Sequence, residues 1–450
     1  MINRRQWLGG GLGLGAGTSL LGLSGSGHGA SEDYRALVVL FLMGGNDGHN
    51  LLVPTDAMYN DYQQARANLA LPKTSLAALP GTAAGHSFGL HSGLAPLVPL
   101  YAQQRLAFIA NAGPLVVPTT GVQARTNAVP LPPFLLSHSD QVAIQQGWTV
   151  RDDSSGWAGR SLELLPSSLR NPLSAVTMDN RLTLVLGRRS AVSFMPEFGA
   201  RYWGLADLAH PQDEAAQSIN RMAQWQFSNA YEAEYARTLG TAVADATRIT
   251  QVLETAKAPS ADFGNGGGGS IGQRLRVLAS ALPVFKSQGY KRQVFLVSWG
   301  AFDTHTNQRG GDMNSQDTQF VAMAKALAAF DETNRANGID MNVVTLMMSD
   351  FGRTVRPGSG GGSEHAWGNH WFAMGGPVAG GNVIGSFPSP QLGGPDDGDL
   401  GNNGRHVPTI ATDQVGATVM NWLGLPSSAY IDVFPDLVNF QQKTIPLLGA

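Results

Sequence analysis

Three stretches of this chain are unbroken runs of apolar, mostly β-forming residues, and each run is followed within a few positions by an acid. Residues 35–43 (RALVVLFLM) lead into Gly44-Gly45-Asn46-Asp47-Gly48. Residues 293–299 (QVFLVSW) lead into Gly300-Ala301-Phe302-Asp303, and residues 342–349 (NVVTLMMS) lead directly into Asp350. A strand with one wet face alternates apolar and polar residues, whereas a strand without alternation is covered on both faces. The runs therefore predict buried strands of a parallel sheet packed between helices. Further strands are predicted at 106–111 and 182–186.

Helical patterns fill the intervals. Residues 92–104, 270–288 and 315–337 carry apolar spacing suited to packing on a sheet. Residues 213–258 are long, polar and Ala-rich, which predicts two helices. A short helix is predicted at 141–146 and a last one at 413–423. Strand and helix alternate, so the fold class is α/β, with a mostly parallel central sheet between helical layers. With 450 residues and 43% hydrophobic content, one large domain over 31–450 is the simplest partition. The 56 Gly and 25 Pro place much of the chain in loops, where sites usually sit. Gly-rich loops stand at 264–269, 357–363 and 388–404.

Composition excludes several functions. The chain has no Cys, which removes disulfides, thiolate metal sites and a Cys nucleophile. Its formal net charge is -3, with no clustered basic patch of the kind that binds nucleic acid. The start has the three-part layout of a signal: Arg4-Arg5 before Trp7 and Leu8, then a mildly apolar, Gly-rich stretch to Leu23. Residues 1–30 are read as a twin-arginine signal peptide cleaved near Gly29 or Ala30, which predicts a periplasmic or extracellular protein. No later segment has about 18 uninterrupted apolar residues, so no transmembrane span is expected.

In an open α/β sheet, ligands bind beyond the carboxyl ends of the strands. Three acids delivered to one edge repel unless protonated or neutralised by a cation. Histidines stand near two of them, in Asp303-Thr304-His305 and in Glu364-His365-Ala366-Trp367-Gly368-Asn369-His370. Mixed Asp and His ligands suit zinc or another first-row divalent ion. The metal candidates are thus Asp47, Asp303, His305, Asp350, His365 and His370, with one or two ions and zinc first. Five of them have a plainer alternative: Asp47 as a turn residue, Asp350 as a helix cap, His305 or His370 as core histidines, and His365 as an oriented surface residue. Arg353 is a candidate anion clamp, since guanidinium matches phosphate or sulfate oxygens bidentately; its alternative is a salt bridge. For the nucleophile, Ser137 in Ser137-His138-Ser139-Asp140 precedes a predicted helix, where amides and dipole favour an anion. Ser137 is equally an N-cap, and Ser139, Thr119, Thr120 or an activated water are alternatives.

These ordered motifs resemble a secreted bacterial family, domain of unknown function 1501, over nearly all of the mature chain. The resemblance is carried by the turn 44–48, the segment from Leu90-His91 to Leu106, WGAFDTHTNQ at 299–308, and SDFGRT with EHAWGNHWFAMGG at 349–376. That family is placed in the alkaline-phosphatase-like superfamily of phosphatases, sulfatases and phosphomutases. The resemblance implies an alkaline-phosphatase-like, three-layer α/β sandwich with a metal site at the strand ends. In it Asp47 resembles the first-strand metal Asp, and Asp303 with His305 the late Asp and His pair. Asp350 resembles the Asp of an Asp-His pair, but Phe351 stands where His is common, so His365 or His370 is expected to supply that imidazole. The Cys or Ser pattern from which sulfatases make formylglycine is not found.

The resulting expectation is an exported metal-dependent hydrolase of anionic esters, with phosphate preferred over sulfate and a small ester or polymer as substrate. The alternative is a non-enzymatic exported envelope or binding protein with a degenerate metal site and an envelope protein partner.

Overall fold

The computed structural model describes residues 33–147, 154–178, 180, 183–197, 202–203, 206–207, 212–264 and 269–449. The expected signal at 1–30 and most of the Gly-rich tether at 264–269 lie outside them. The apolar runs are strands of one nine-stranded sheet. Its members are β1 Arg35–Leu42, β2 Leu106–Gly113, β3 Ala175–Thr177, β4 Ser193–Phe194 and β5 Arg292–Trp299. The remainder are β6 Val343–Ser349, β7 Asn369–Met374, β8 Asn382–Ile384 and β9 Ile410–Ala411. The spatial order is β8-β2-β7-β6-β1-β5-β3-β4, and β9 also pairs with β2. Of these nine, β7 alone runs against its neighbours.

Register sets the site. β1 lies between β5 and β6, parallel to both, with Leu42 opposite Trp299 on one side and Ser349 on the other. These three apolar strands therefore stop at one level, and the segments bearing Asp47, Asp303 and Asp350 leave the sheet along one edge.

Helices cover both faces, as unalternated strands require. Ala36, Val38, Leu40 and Leu42 of β1 pack into one core, and Leu37, Val39 and Phe41 into the other. In the numbering used below, α1 is Met58–Arg66, α2 His138–Gln145, α3 Trp157–Leu164, α4 Ile271–Ser287, α5 Gln316–Ala336 and α6 Thr412–Trp422. The first core is closed by Leu275 and Leu282 of α4 with Phe320 and Leu327 of α5. The second is closed by Trp157 and Leu162 of α3 with Val415 and Met420 of α6. The result is a three-layer α/β sandwich with a mostly parallel sheet. Ser270 and Ser315 accept hydrogen bonds from Gln273 and Thr318 N–H, capping α4 and α5 where they begin. The polar stretch 213–258 is two helices, Glu214–Gln224 and Ala230–Thr255.

Two elements differ from expectation. Residues Thr183–Val185 form a 3-10 turn and not a strand; the Leu184 N–H bonds the Gln146 side chain at 3.0 Å, a tertiary partner in place of a sheet ladder. Residue 182 is outside the described set. The helix expected over 92–104 is a 3-10 segment, Ser92–Leu97, followed by a short helix, Val98–Ala102. Pro96 and Pro99 each lack the N–H that a continuous helix needs. Among the described residues no helix is long and apolar enough to cross a membrane.

Candidate metal centre

After β1 the chain turns through Gly44 and Gly45 at φ values of +105° and +74°. A Cβ on Gly44 would stand 2.5 Å from Asp303 N, and one on Gly45 2.3 Å from the Phe351 ring. Without side chains, both backbone N–H groups turn onto the Asp350 carboxylate, Gly44 N at 3.3 Å and Gly45 N in close contact. Ser349 Oγ lies 3.0 Å from the same carboxylate. Asp350 is 0% exposed, and its carboxylate is completed by His138 Nδ1 at 2.7 Å.

His138 opens α2 and points Nε2 at Asp303 Oδ1, 3.3 Å away. Two more imidazoles face the same oxygen: His305 Nε2 at 3.0 Å and His365 Nε2 at 3.4 Å. The His305 and His365 Nε2 atoms are 2.8 Å apart. Each ring is anchored by its other nitrogen. His138 Nδ1 meets Asp350, His305 Nδ1 meets Glu364 Oε2 at 2.8 Å, and His365 Nδ1 meets the Leu136 carbonyl at 2.7 Å. An acceptor at Nδ1 assigns the proton there and leaves Nε2 as a bare lone pair. Three Nε2 atoms thus converge on a carboxylate oxygen that also accepts from Arg353 Nη2.

Arg353 is a cation already bonded to that oxygen, and the dimensions of the donors suit a metal ion beside it. His138, Asp303 and His365 each offer a ligand atom within 4.8 Å of the others. Bonds of about 2.0–2.1 Å place tetrahedral ligands roughly 3.3 Å apart, against 3.3 Å and 3.4 Å from Asp303 Oδ1 to the His138 and His365 Nε2 atoms. The donor set fits zinc or another first-row divalent ion. The imidazole anchors are the outer partners that orient metal-binding histidines.

Charge follows from these contacts. The hydrogen bond to Asp350 raises the His138 pKa; burial opposes it, and the charges of Asp350 and Asp303 add to the rise. Burial pushes Asp303 up, but the hydrogen bond and charge of Arg353, with His138 and His305, outweigh it and bring the carboxyl to about 2. Burial lowers His365, against its bond to the Leu136 carbonyl, and the charge of Arg353 lowers it further. His138 and Asp303 open into a depression of about 350 Å³ lined also by Gly44, Ser139, Val142 and Asp350 among others, with no Lys or Arg in its wall.

Of the residues singled out from sequence, Asp303, His305 and His365 come together, and Asp350 stands one hydrogen bond behind them through His138. Two do not join them. Asp47 is 1% exposed. It pairs with Arg66 of α1, accepts from Gln308 Nε2, and caps the Gly48–Asn50 turn by accepting from His49 N at 3.0 Å. Its lone pairs are spent on the turn and on a buried ion pair. His370, on β7, accepts from Asn111 N at 3.1 Å and stacks on Phe387 at 4.7 Å; it neighbours His49 and not the cluster.

The other assignments also change. Arg353 is not free to clamp an anion, because it is fully buried and its nitrogens donate to Gly45 O, Ser363 O, Phe302 O and Asp303 Oδ1. Ser137 Oγ bonds Asp140, while Ser139 faces the depression. Thr119 bonds the Val117 carbonyl at 2.8 Å, and Thr120 caps the short helix Gly121–Arg125. The imidazole expected beside Asp350 comes from His138, which the sequence reading quoted only as a neighbour of Ser137. Phe351 is the floor beneath two imidazoles, 4.6 Å from the His138 ring and 4.7 Å from that of His365. The hairpin Arg353–Pro357 with Ser363–His365 pairs Arg353 opposite His365, so the Gly-rich loop does return the second motif onto the first.

No match was found among the curated proteins. Among solved structures, the chain is similar to a protein in the alkaline phosphatase superfamily from Vibrio parahaemolyticus, at 11% identity over 87% of this chain and 67% of that one, TM-score 0.35. It is similar to the lipoteichoic acid synthase LtaP from Listeria monocytogenes, at 11% identity over 91% of this chain and 77% of that one, TM-score 0.34. It is also similar to the PsFucS1 sulfatase from a Pseudoalteromonas species, at 9% identity over 79% of this chain and 64% of that one, TM-score 0.28. The family model described as "Protein of unknown function (DUF1501)" matches residues 34–413. The chain belongs to that DUF1501 family.

Proposed function

We propose that this protein is an exported metal-dependent hydrolase of anionic esters, with phosphate esters preferred over sulfate esters. The observation that carries the reading is the convergence of three imidazole Nε2 atoms on the Asp303 carboxylate, at the open edge of a parallel sheet. His138, Asp303 and His365 would hold the ion, zinc first, with His305 beside them. A divalent ion there supplies Lewis acidity toward an ester oxygen and a lowered pKa for an attacking oxygen.

The chain's own residues do the rest. Asp350 keeps the Nδ1 proton on His138 and so keeps Nε2 available. Ser139, on the first turn of α2, is the hydroxyl nearest to hand in the depression, with water as its rival for the attack. The depression has no basic side chain of its own, so the ester's charge is met by the ion. Preference for phosphate over sulfate follows from the lack of Cys and of a formylglycine pattern. Export rests on Arg4-Arg5 and the weakly apolar stretch after them.

A second reading, a metal-binding envelope protein without catalysis, is favoured by one observation: Ser137 is held by Asp140, and among the described residues no hydroxyl is bonded to an imidazole of the cluster. One experiment separates the two. Purified protein is assayed for metal by elemental analysis and then for phosphate release from an aryl phosphate and sulfate release from an aryl sulfate. Bound zinc lost in Asp303→Ala, with phosphate release that follows the zinc, supports the enzyme. Bound zinc with no turnover of either ester supports the binding protein. No bound metal in the wild type removes both.

A further inference from the structure

Arg353 has lost the role of anion clamp, but its contacts suggest another. Its guanidinium is 0% exposed. Nε donates to the Gly45 carbonyl at 2.8 Å and Nη1 to the Ser363 carbonyl at 2.9 Å. Nη2 meets the Phe302 carbonyl at 3.1 Å, Asp303 Oδ1 at 2.6 Å and the Gly44 carbonyl in close contact. These acceptors belong to three segments distant in sequence: the turn after β1, the loop after β5, and the returning strand of the hairpin. Each segment carries one part of the candidate centre. The turn supplies the N–H groups that hold Asp350, the loop supplies Asp303 and His305, and the hairpin supplies His365, two residues beyond Ser363.

A guanidinium is planar and its donors form a rigid fork, so acceptors that satisfy several of its nitrogens at once must keep fixed relative positions. An ammonium is a point donor on a flexible stem and imposes no such frame. A buried cation also needs a buried counter-charge, and here that is Asp303 Oδ1, the same oxygen that three imidazoles face. We propose that Arg353 is a positioning residue: it locks the three loops together and aims Asp303 at the imidazoles, and it does not grip substrate. For the zinc readout below, this inference rests on the metal-centre reading of the site; for the exchange readout it does not.

The test compares full-length wild type with Arg353→Lys, and with Arg353→Gln as the variant that buries no charge should the lysine variant not fold. Both are stripped of metal and titrated with zinc. A core variant far from the site, Leu327→Ala, fully buried on α5, controls for general destabilisation. The expected result is a zinc dissociation constant raised about tenfold or more in the Arg353 variants, the range seen when an outer partner of a metal ligand is lost, with Leu327→Ala close to wild type. Backbone hydrogen exchange should quicken at residues 44–45, 300–305 and 361–365 while β1 and β5 stay protected. Unchanged zinc affinity and unchanged exchange in those loops would overturn the proposal, as would an equal loss in the core variant. Zinc affinity left intact but inorganic phosphate bound more weakly to the zinc-loaded protein would restore the anion clamp and overturn it too. If the wild type binds no zinc, the metal reading fails, and the exchange pattern alone decides: opening confined to the three loops supports positioning, and uniform opening overturns it.

Discussion

Asp47, Asp303 and Asp350 leave the sheet at one edge, yet each does different work. Asp303 is half exposed at 49% and faces the imidazoles. Asp350 is fully buried and holds His138. Asp47 is buried against Arg66. Substitution by Asn should separate them. Asp303→Asn removes the charge at the centre and should abolish zinc binding measured by titration. Asp350→Asn disturbs only the outer partner, and should weaken zinc about 10–100-fold without abolishing it. Asp47→Asn leaves Arg66 buried and unpaired, which should lower stability to urea by about 3–5 kcal/mol while the folded fraction keeps its zinc. Equal loss of zinc in all three would mean that Asp47 belongs to the centre after all. The acids themselves were legible, since each directly follows an apolar run or its turn. Their roles were not, because Arg66 and Gln308, the partners that claim Asp47, stand in stretches with no pattern tying them to it.

At the scale of elements, the strands were legible because both faces are covered, and covered strands leave continuous apolar runs. The helix start was less so. α2 begins at His138, three residues before the predicted 141, and those residues carry the imidazole that completes Asp350. A helix boundary placed too late hid a site residue. The turn after β1 makes a sharper claim. Gly45 at φ +74° has the Phe351 ring 2.3 Å from its notional Cβ, whereas Gly85 at φ +81° has nothing within 4 Å. Both positions disfavour an L side chain by roughly 1–2 kcal/mol. Gly85→Ala should therefore show that cost alone in thermal or urea unfolding. Gly45→Ala should show it plus the displacement of Phe351, the floor beneath His138 and His365, and should also lose zinc affinity. Equal stability losses with zinc affinity unchanged would show that the turn and the ring are not coupled to the centre.

For the whole molecule, the response to acid depends on buried groups away from the centre. His49, His370 and His406 form a closed group, with ring centroids 5.1 Å apart for His49 and His406 and 5.9 Å for His49 and His370. His49 also faces Arg66 and bonds the Arg353 carbonyl, and Asp396 and Asp397 lie toward His406. Among the described residues His370 Nε2 has no hydrogen-bond partner, and a contact with the Ser389 backbone only partly opposes the lowering of His406. Burial is the first cause lowering all three pKa values, and it brings His370 to about 3. Unfolded, each histidine titrates near 6.5. As pH falls below that value the unfolded chain takes up protons that the folded chain refuses, so stability is full above about 6.5 and declines toward 3. His370 alone should cost about 2–3 kcal/mol at pH 4.5. Two groups oppose the trend: His138, raised by its bond to Asp350, and Asp413. Asp413, at the start of α6, is raised to about 7 by burial and by Asp436, so the folded chain holds an extra proton over much of the same window. Four lowered histidines, His365 among them, against Asp413 and His138 leave a net decline on acidification. Urea unfolding between pH 7.5 and 4.5 should show it, steeper in Asp413→Asn, which removes one opposing group, and shallower in His370→Gln, which removes one refusal. A wild-type stability that holds level down to pH 4.5 would mean that the buried histidines accept protons in the folded state, and that the closed group around His49 opens to water without unfolding.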